Sequence, residues 1–425
     1  MKRIAIYTLT SELHDEQAVS AVTNEFLSSL PIEYDFRGSD FSDYGSHPLS
    51  LIFVRTGGTE GIFLRLLSSL SSKLTTQSKQ SSPFYLLASG KSNSLAASME
   101  ILSYLQQNGL QGEILHGDSE YITRRIRLLA QVEEARMKMR GSRLGIVGAP
   151  SDWLISSQAK KEVVKERLGI ELIDIPMQEL LDTIAATPLE STLCPMPECC
   201  DPDMCASLPN GIRKSLSGAH QIYKALKTLV SNHQLQGLTL RCFDLLTAVH
   251  NTGCMALAQL NAEGIVAGCE GDVPAMLSMA ISQALTGVSG FQANPARINP
   301  ETGEMIFAHC TIPLNMVERY ELDTHFESGI GVGIRGYMKE GPVTIYKVSG
   351  DLTRCFIAEG ELVMNQAQPD LCRTQQIIQL SDPSQTQYFL THPIGNHHII
   401  LQGHHKALLQ EMIGTATQSL TPNER

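Results

Sequence analysis

Through the first two thirds of the chain, short apolar runs alternate with longer stretches whose apolar positions recur at helical spacing. The runs read as buried strands and the longer stretches as amphipathic helices, and their alternation predicts parallel sheets covered by helices. Strands are expected over residues 3–8, 51–55 and 84–88, with helices over 14–29 and 60–72 between them. In the helix that follows, Ser94, Leu95, Ala96, Met99, Ile101 and Leu102 fall on one face, which should pack on the sheet. A charged helix over 120–140 stops at the breaker Gly141. Residues 143–148 then open a fresh strand that ends in the turn residues Ala149, Pro150, Ser151 and Asp152. Helices near 158–168, 177–186 and 219–231 and a strand over 171–175 continue this second unit.

Near Pro295 the pattern changes to short alternating strands. Hairpin signals at 299–303 and 339–342 suit an antiparallel barrel or sandwich, and a last helix is expected over 405–417. The fold class expected is α/β: two Rossmann-like three-layer domains, 1–142 and 143–295, then a β-rich, barrel-like domain over 296–425. Only 68–82, rich in Ser, Thr and Gln, approaches low complexity.

Composition narrows the function classes. With 42% hydrophobic and 18% charged residues the chain is an ordinary globular mixture, not a disordered or fibrous one. Lys and Arg total 33 against 44 Asp and Glu, a balance of −11 with no basic cluster, so no nucleic-acid partner is expected. No apolar run is long enough for a membrane span, and the first residues are too short an apolar core for an export signal. A cytoplasmic location follows as an expectation, with the ten cysteines as reduced thiols.

The sharpest candidate chemistry lies at 267–274, an apolar strand that ends in Glu270 and Asp272 and turns into a helix at Pro274. Carboxylates at the carboxyl end of such a strand sit where crevices form in an α/β sheet. Asp272 as a plain helix cap beside a solvated Glu270 is the simpler alternative. His309 lies in one predicted strand and the pair His397 and His398 in another, where neighbours face opposite sides. Glu270, His309 and one of the paired histidines would give a carboxylate and two imidazoles, a set suited to Mn²⁺ or Zn²⁺ with open positions.

These segments, 269–275 with the following helix, 308–311 and 395–398, resemble the L-fucose isomerase and L-arabinose isomerase family, particularly its short members. The two α/β domains followed by a β-rich one extend the resemblance over nearly the whole chain. It implies a divalent metal, usually Mn²⁺, that binds two oxygens of an open-chain sugar while two acidic residues move a proton between C1 and C2 through an enediol. By resemblance Glu270 is metal ligand and acid/base, His309 a second ligand, and His398 the C-terminal ligand with His397 as fallback. Asn294 stands where these isomerases have Asp or Glu; as a further candidate ligand it can coordinate the metal through its carbonyl oxygen, but Asn cannot accept a proton at neutral pH. Glu327 and Asp272 are the candidates to replace the missing carboxylate, although 323–329 also reads as a plain polar loop. A homo-oligomer acting on a small sugar is implied by the same resemblance. The alternative functions are a sugar-binding or regulatory protein that kept the fold, and a related epimerase.

Three further features attract weaker readings. Residues 331–336 match G-x-G-x-x-G but run on into strand-like residues, so no dinucleotide site is expected. The four thiols of 194–205 lack paired C-x-x-C knuckles and read as a surface loop more readily than a structural metal site. Residues 57–61, between a strand and a helix, suit either a tight turn or an anion- or hydroxyl-binding loop.

Overall fold

The computed structural model describes residues 3–74, 83–189, 208–414 and 418–419. Two compact units, 1–138 and 139–425, make up the chain. In the first, β1 (Ile4–Leu9), β3 (Leu49–Val54) and β4 (Phe84–Ala88) are buried along their whole length, as strands covered on both faces must be. With β2 (Asp35–Gly38) and β5 (Gly112–Leu115) they form a parallel sheet in the order β2-β1-β3-β4-β5. Helices α1 (Glu16–Ser28), α2 (Glu60–Leu74), α3 (Ser94–Gln107) and α4 (Ser119–Met139) connect these strands or follow them. The turn at 57–61 joins β3 to α2, and Gly58 adopts a left-handed φ of 75° there.

The second unit opens with another parallel sheet, in the order β7-β6-β8-β9, from β6 (Arg143–Val147), β7 (Glu171–Ile175), β8 (Gly237–Leu240) and β9 (Val266–Cys269). Its helices are α5 (Lys161–Leu168), α6 (Met177–Ala186), α7 (Asn210–Asn232), the short α8 (Asp244–Ala248), α9 (Cys254–Ala262) and α10 (Val273–Thr286). The α7 helix starts well before the expected 219, because Ile212 and Leu216 continue the buried stripe of Ala219, Ile222, Leu226 and Leu229.

Beyond α10 the chain closes a six-stranded antiparallel barrel. Its strands are β10 (Phe291–Ile298), β11 (Glu304–His309), β14 (Gly341–Val348), β15 (Arg354–Gln366), β16 (Thr374–Leu380) and β17 (His398–Gln402). They pair in the order β14-β17-β10-β11-β16-β15, and β14 pairs with β15 to complete the ring. Pro295 lies within β10, where the register shifts between Pro295 and Arg297. A proline, which has no amide hydrogen to donate, is tolerated at such an irregularity. The turn at 299–303 joins β10 to β11 as a hairpin. The turn at 339–342 instead links two sheets, because β13 (Gly333–Tyr337) pairs with β12 (Arg319–Asp323) and not with β14. Gly333 and Gly336 of the G-x-G-x-x-G stretch thus lie in a strand, and a Cβ on Gly336 would meet Ile312 Cγ2 at 2.6 Å. The short α11 covers Thr386–Thr391, and a last helix, α12, covers Lys406–Ile413. The loop carrying Cys194 to Cys205 lies outside the described residues.

Gln292 of β10 joins the parallel sheet to the barrel. Its side-chain oxygen accepts from the Cys269 amide at 2.9 Å and its amide donates to the Cys269 carbonyl at 3.3 Å. The Cys269 carbonyl also takes the Asp272 amide at 3.2 Å, so both groups close off the end of the edge strand β9 beside the barrel. The end of β9 is therefore held against β10, which is where the candidate chemistry collects.

Candidate metal centre

Glu270 follows β9 directly and takes a left-handed φ of 63°, uncommon for a residue with a side chain. Gly271 continues at φ 70°, and a Cβ there would lie 2.4 Å from the Ala149 carbonyl oxygen, so only glycine fits. The Ser151 amide donates to the Glu270 carbonyl at 2.9 Å, and the Gly271 amide to the Leu240 carbonyl at 3.0 Å. These bonds pin an unfavourable backbone at the strand end, a form of strain that clusters at functional sites. Asp272 then caps α10 by accepting from the Ala275 amide at 2.8 Å, with Pro274 in the first turn.

Glu270, His309 and His397 form a buried group whose ligating atoms all lie within 4.8 Å of one another. Nε2 of His309 lies 3.6 Å and Nε2 of His397 3.5 Å from Oε1 of Glu270. Each imidazole is turned by its other nitrogen: Nδ1 of His309 meets Thr311 Oγ1 at 3.0 Å, and Nδ1 of His397 meets Asp272 Oδ2 at 2.8 Å. A carboxylate or hydroxyl behind a histidine fixes its tautomer and orients it toward a metal. Nε2 of His397 is buried and has no hydrogen-bond partner. An orphaned imidazole nitrogen facing a carboxylate and a second imidazole fits a divalent cation, for which one oxygen and two nitrogen donors are a suitable set.

The charges of the group are coupled. Burial opposes the Glu270 carboxylate, yet the His397 charge and the close approach of both imidazoles hold its pKa well below the usual range. Burial also opposes charge on His397, but Glu270 and Asp272 outweigh it and raise its pKa to about 9. His309 goes the other way, lowered by burial, so that one of the two imidazoles holds the proton. Asp272, despite complete burial, is lowered to about 2 by the Lys347 charge and by His397.

The structure places His397, and not the expected His398, beside Glu270. His397 precedes the first residue of β17 and faces Glu270, whereas His398, the first residue of that strand, points to the other side. There Nε2 of His398 meets Tyr388 Oη at 2.9 Å and Nδ1 meets the Asn396 carbonyl at 3.0 Å. Asn294, expected as a metal ligand, accepts instead from Asn396 Nδ2 at 3.1 Å through its amide oxygen. Asp272 is fully engaged behind His397 and does not stand open to a substrate. Glu327 sits on the largely exposed turn after β12, where partial desolvation of its carboxyl and the Glu270 charge raise its pKa.

No family model matches the chain. It is similar to proteins named sulfoquinovose isomerase. With that of Priestia megaterium it shares 24% identity over 276 residues, 63% of this chain and 61% of the relative. With that of Clostridium sp. strain MSTE9 the identity is 25% over 231 residues, covering 53% and 49% of the two chains. With that of Alkalicoccus urumqiensis it is 21% over 264 residues, covering 60% and 59%. These are distant homologues, and the matched stretch covers less than two thirds of the length of each.

Two site residues escaped the reading of the sequence. Trp153, the one tryptophan of the chain, donates from Nε1 to Glu270 Oε2 at 2.7 Å while remaining 51% exposed. Its loop is tied down by Arg241, which donates to the Pro150 carbonyl at 2.8 Å and to Asp152 Oδ2 at 2.8 Å. The turn signal at 149–152, after a strand of a parallel sheet, was the available clue to this loop. Trp153 also lines a cavity of about 410 Å³ with Leu154, Ser156, Ser157, Phe389 and Asn396. Lys347, the other residue, reaches Asp272 from β14.

Proposed function

We propose that this chain is a metal-dependent aldose–ketose isomerase, with Glu270, His309 and His397 as protein ligands of a divalent cation. The observation that carries this reading is the convergence of those three side chains on the unpartnered Nε2 of His397. The names of the distant homologues support sugar isomerisation as the chemistry. Mn²⁺, a cytoplasmic location and a homo-oligomer, each implied by the resemblance or by the sequence, belong to the same proposal.

A divalent ion at such a site supplies a Lewis acid that polarises the sugar carbonyl. The protein's own groups do the rest. Trp153 and the two imidazoles fix both oxygens of Glu270. Glu270 and Glu327 are the pair proposed to pass the proton between C1 and C2. Glu327, raised by burial and by its acidic neighbour, is the member closer to the range a proton shuttle needs. It replaces the carboxylate that Asn294 cannot supply. The cavity beside Trp153, uncharged in its lining and rich in hydroxyl, amide and apolar groups, would receive the far end of an open-chain sugar.

Metal-stripped protein assayed with sulfoquinovose and with neutral aldoses, before and after addition of Mn²⁺, tests the proposal. Ketose product that forms only with metal is expected. Saturable sugar binding without ketose formation in the metal-loaded protein would favour the non-catalytic reading instead.

A further inference from the structure

Lys347 is 1% exposed, on a barrel strand, with its ammonium beside a carboxylate that is itself fully buried. Lysine is almost never buried without a partner, because removing its charge from water is costly. Here Nζ straddles Asp272, 3.3 Å from Oδ1 and 3.2 Å from Oδ2. The same two oxygens take the Ala275 amide at 2.8 Å and His397 Nδ1 at 2.8 Å. The strand that carries Lys347 is fixed against α10 on either side of it: Tyr346 Oη meets Ser282 Oγ at 2.5 Å, and the Val348 amide donates to Ser278 Oγ at 3.1 Å.

Stability does not account for this pair. A buried ion pair is frequently no better than well-packed apolar residues of the same volume, and a helix cap needs no lysine. What the lysine does supply is a fixed and ionised Asp272. Without the ammonium the carboxylate would keep one partner on each oxygen, the Ala275 amide and His397 Nδ1; with Nζ across both oxygens, four contacts fix its plane.

We infer that Lys347 is a positioning residue of the metal centre: it locks Asp272 so that the imidazole of His397 keeps its Nδ1–H bond and presents Nε2 to the cation. The inference rests on the metal-centre reading above, because it is toward a cation that His397 is aimed. Lys347 and Asp272 cancel each other's charge, which leaves the single negative charge of Glu270 to meet a dication.

Lys347→Met tests this in the metal-free full-length protein, with two readouts. Calorimetric titration with Mn²⁺ is expected to show affinity lowered by about 10- to 100-fold, the range found when a partner behind a metal-bound histidine is lost. Imidazole ¹⁵N spectra, recorded without metal and above the His397 pKa of about 9 so that the ring is neutral, are expected to show His397 losing its single Nδ1–H form. The Asp272→Asn/Lys347→Met double variant removes both charges, so that it folds even where the single variant does not, and it too is expected to bind Mn²⁺ more weakly. A folded Lys347→Met or double variant with wild-type Mn²⁺ affinity, within twofold, and unchanged His397 signals overturns the inference. If the wild-type protein takes up no Mn²⁺, the metal-centre reading fails by itself; the His397 signals then decide the positioning role, changed spectra supporting it and unchanged spectra refuting it.

Discussion

His397 and His398 are neighbours in sequence and both are completely buried, yet they occupy opposite environments. His398 lies among aromatic rings, with Phe389 at 4.8 Å and Tyr388 at 5.5 Å between centroids. Burial pushes its pKa down to about 3, so it is a neutral packing residue with both nitrogens bonded to protein. His397 lies between two carboxylates, which raise it to about 9, and its outer nitrogen bonds to nothing. Burial is the same for both, so the surrounding charges decide which histidine can serve a cation. The difference separates a residue with both nitrogens bonded inside the barrel from one whose Nε2 is left facing a carboxylate.

The largest expected effect comes from removing the carboxylate on the His397 side. Glu270→Gln is expected to lower turnover on the true substrate by about 10³-fold or more, the scale of acid–base catalysis with metal ligation lost as well. Steady-state kinetics checks it, and full retained turnover would remove Glu270 from the chemistry. Next, the two histidines should part company. His397→Ala is expected to abolish measurable Mn²⁺ binding with the fold kept, whereas His398→Leu should bind Mn²⁺ as the wild type does but lose about 1–3 kcal/mol of stability with its two hydrogen bonds. Calorimetry and urea unfolding measure the two quantities separately.

A pH effect sharpens the same contrast. In the metal-free protein His397 faces Glu270 and Asp272, with the His309 imidazole, lowered by burial, and the Lys347 ammonium nearby. Its folded pKa, about 9, is above the unfolded value near 6.5. The stabilisation it contributes is therefore complete below pH ~6.5 and lost as pH rises through about 9. Urea midpoints of the metal-free protein are expected to fall across that window, and His397→Ala should remove its share of the fall. The smallest effect is expected at Asn294. Because its carbonyl oxygen already serves Asn396, Asn294→Ala should leave Mn²⁺ affinity within about twofold and stability within about 0.5 kcal/mol. Lost Mn²⁺ binding in that variant would return Asn294 to the ligand set.

Much of the fold was legible in the sequence. The strand at Glu171–Ile175 and the helix at Met177–Ala186 lie where periodicity and breakers place them. The four-residue strands Asp35–Gly38 and Gly112–Leu115 are too short to show a pattern against neighbouring turns. In the site, Glu270 and Asp272 could be read because a strand end, a cap and a proline fall in a row. The choice between His397 and His398 could not, since neighbours in a strand face opposite sides and only the pairing of β17 with β10, which sets Ala293 opposite His398, decides which side meets Glu270. Lys347 was hidden for a similar reason: a lone lysine in a strand reads as a solvent-facing position, and only the barrel's closure against α10 shows that it faces Asp272. Trp153 carries no motif, and its bond to Glu270 spans 117 positions of sequence.

Diffraction from crystals soaked in Mn²⁺, collected at the manganese absorption edge, tests the central claim most directly. The account predicts an anomalous peak within coordinating distance of the Glu270 carboxylate and of Nε2 of both His309 and His397, and none at His398. A fully soaked crystal with no peak between those three side chains would contradict it.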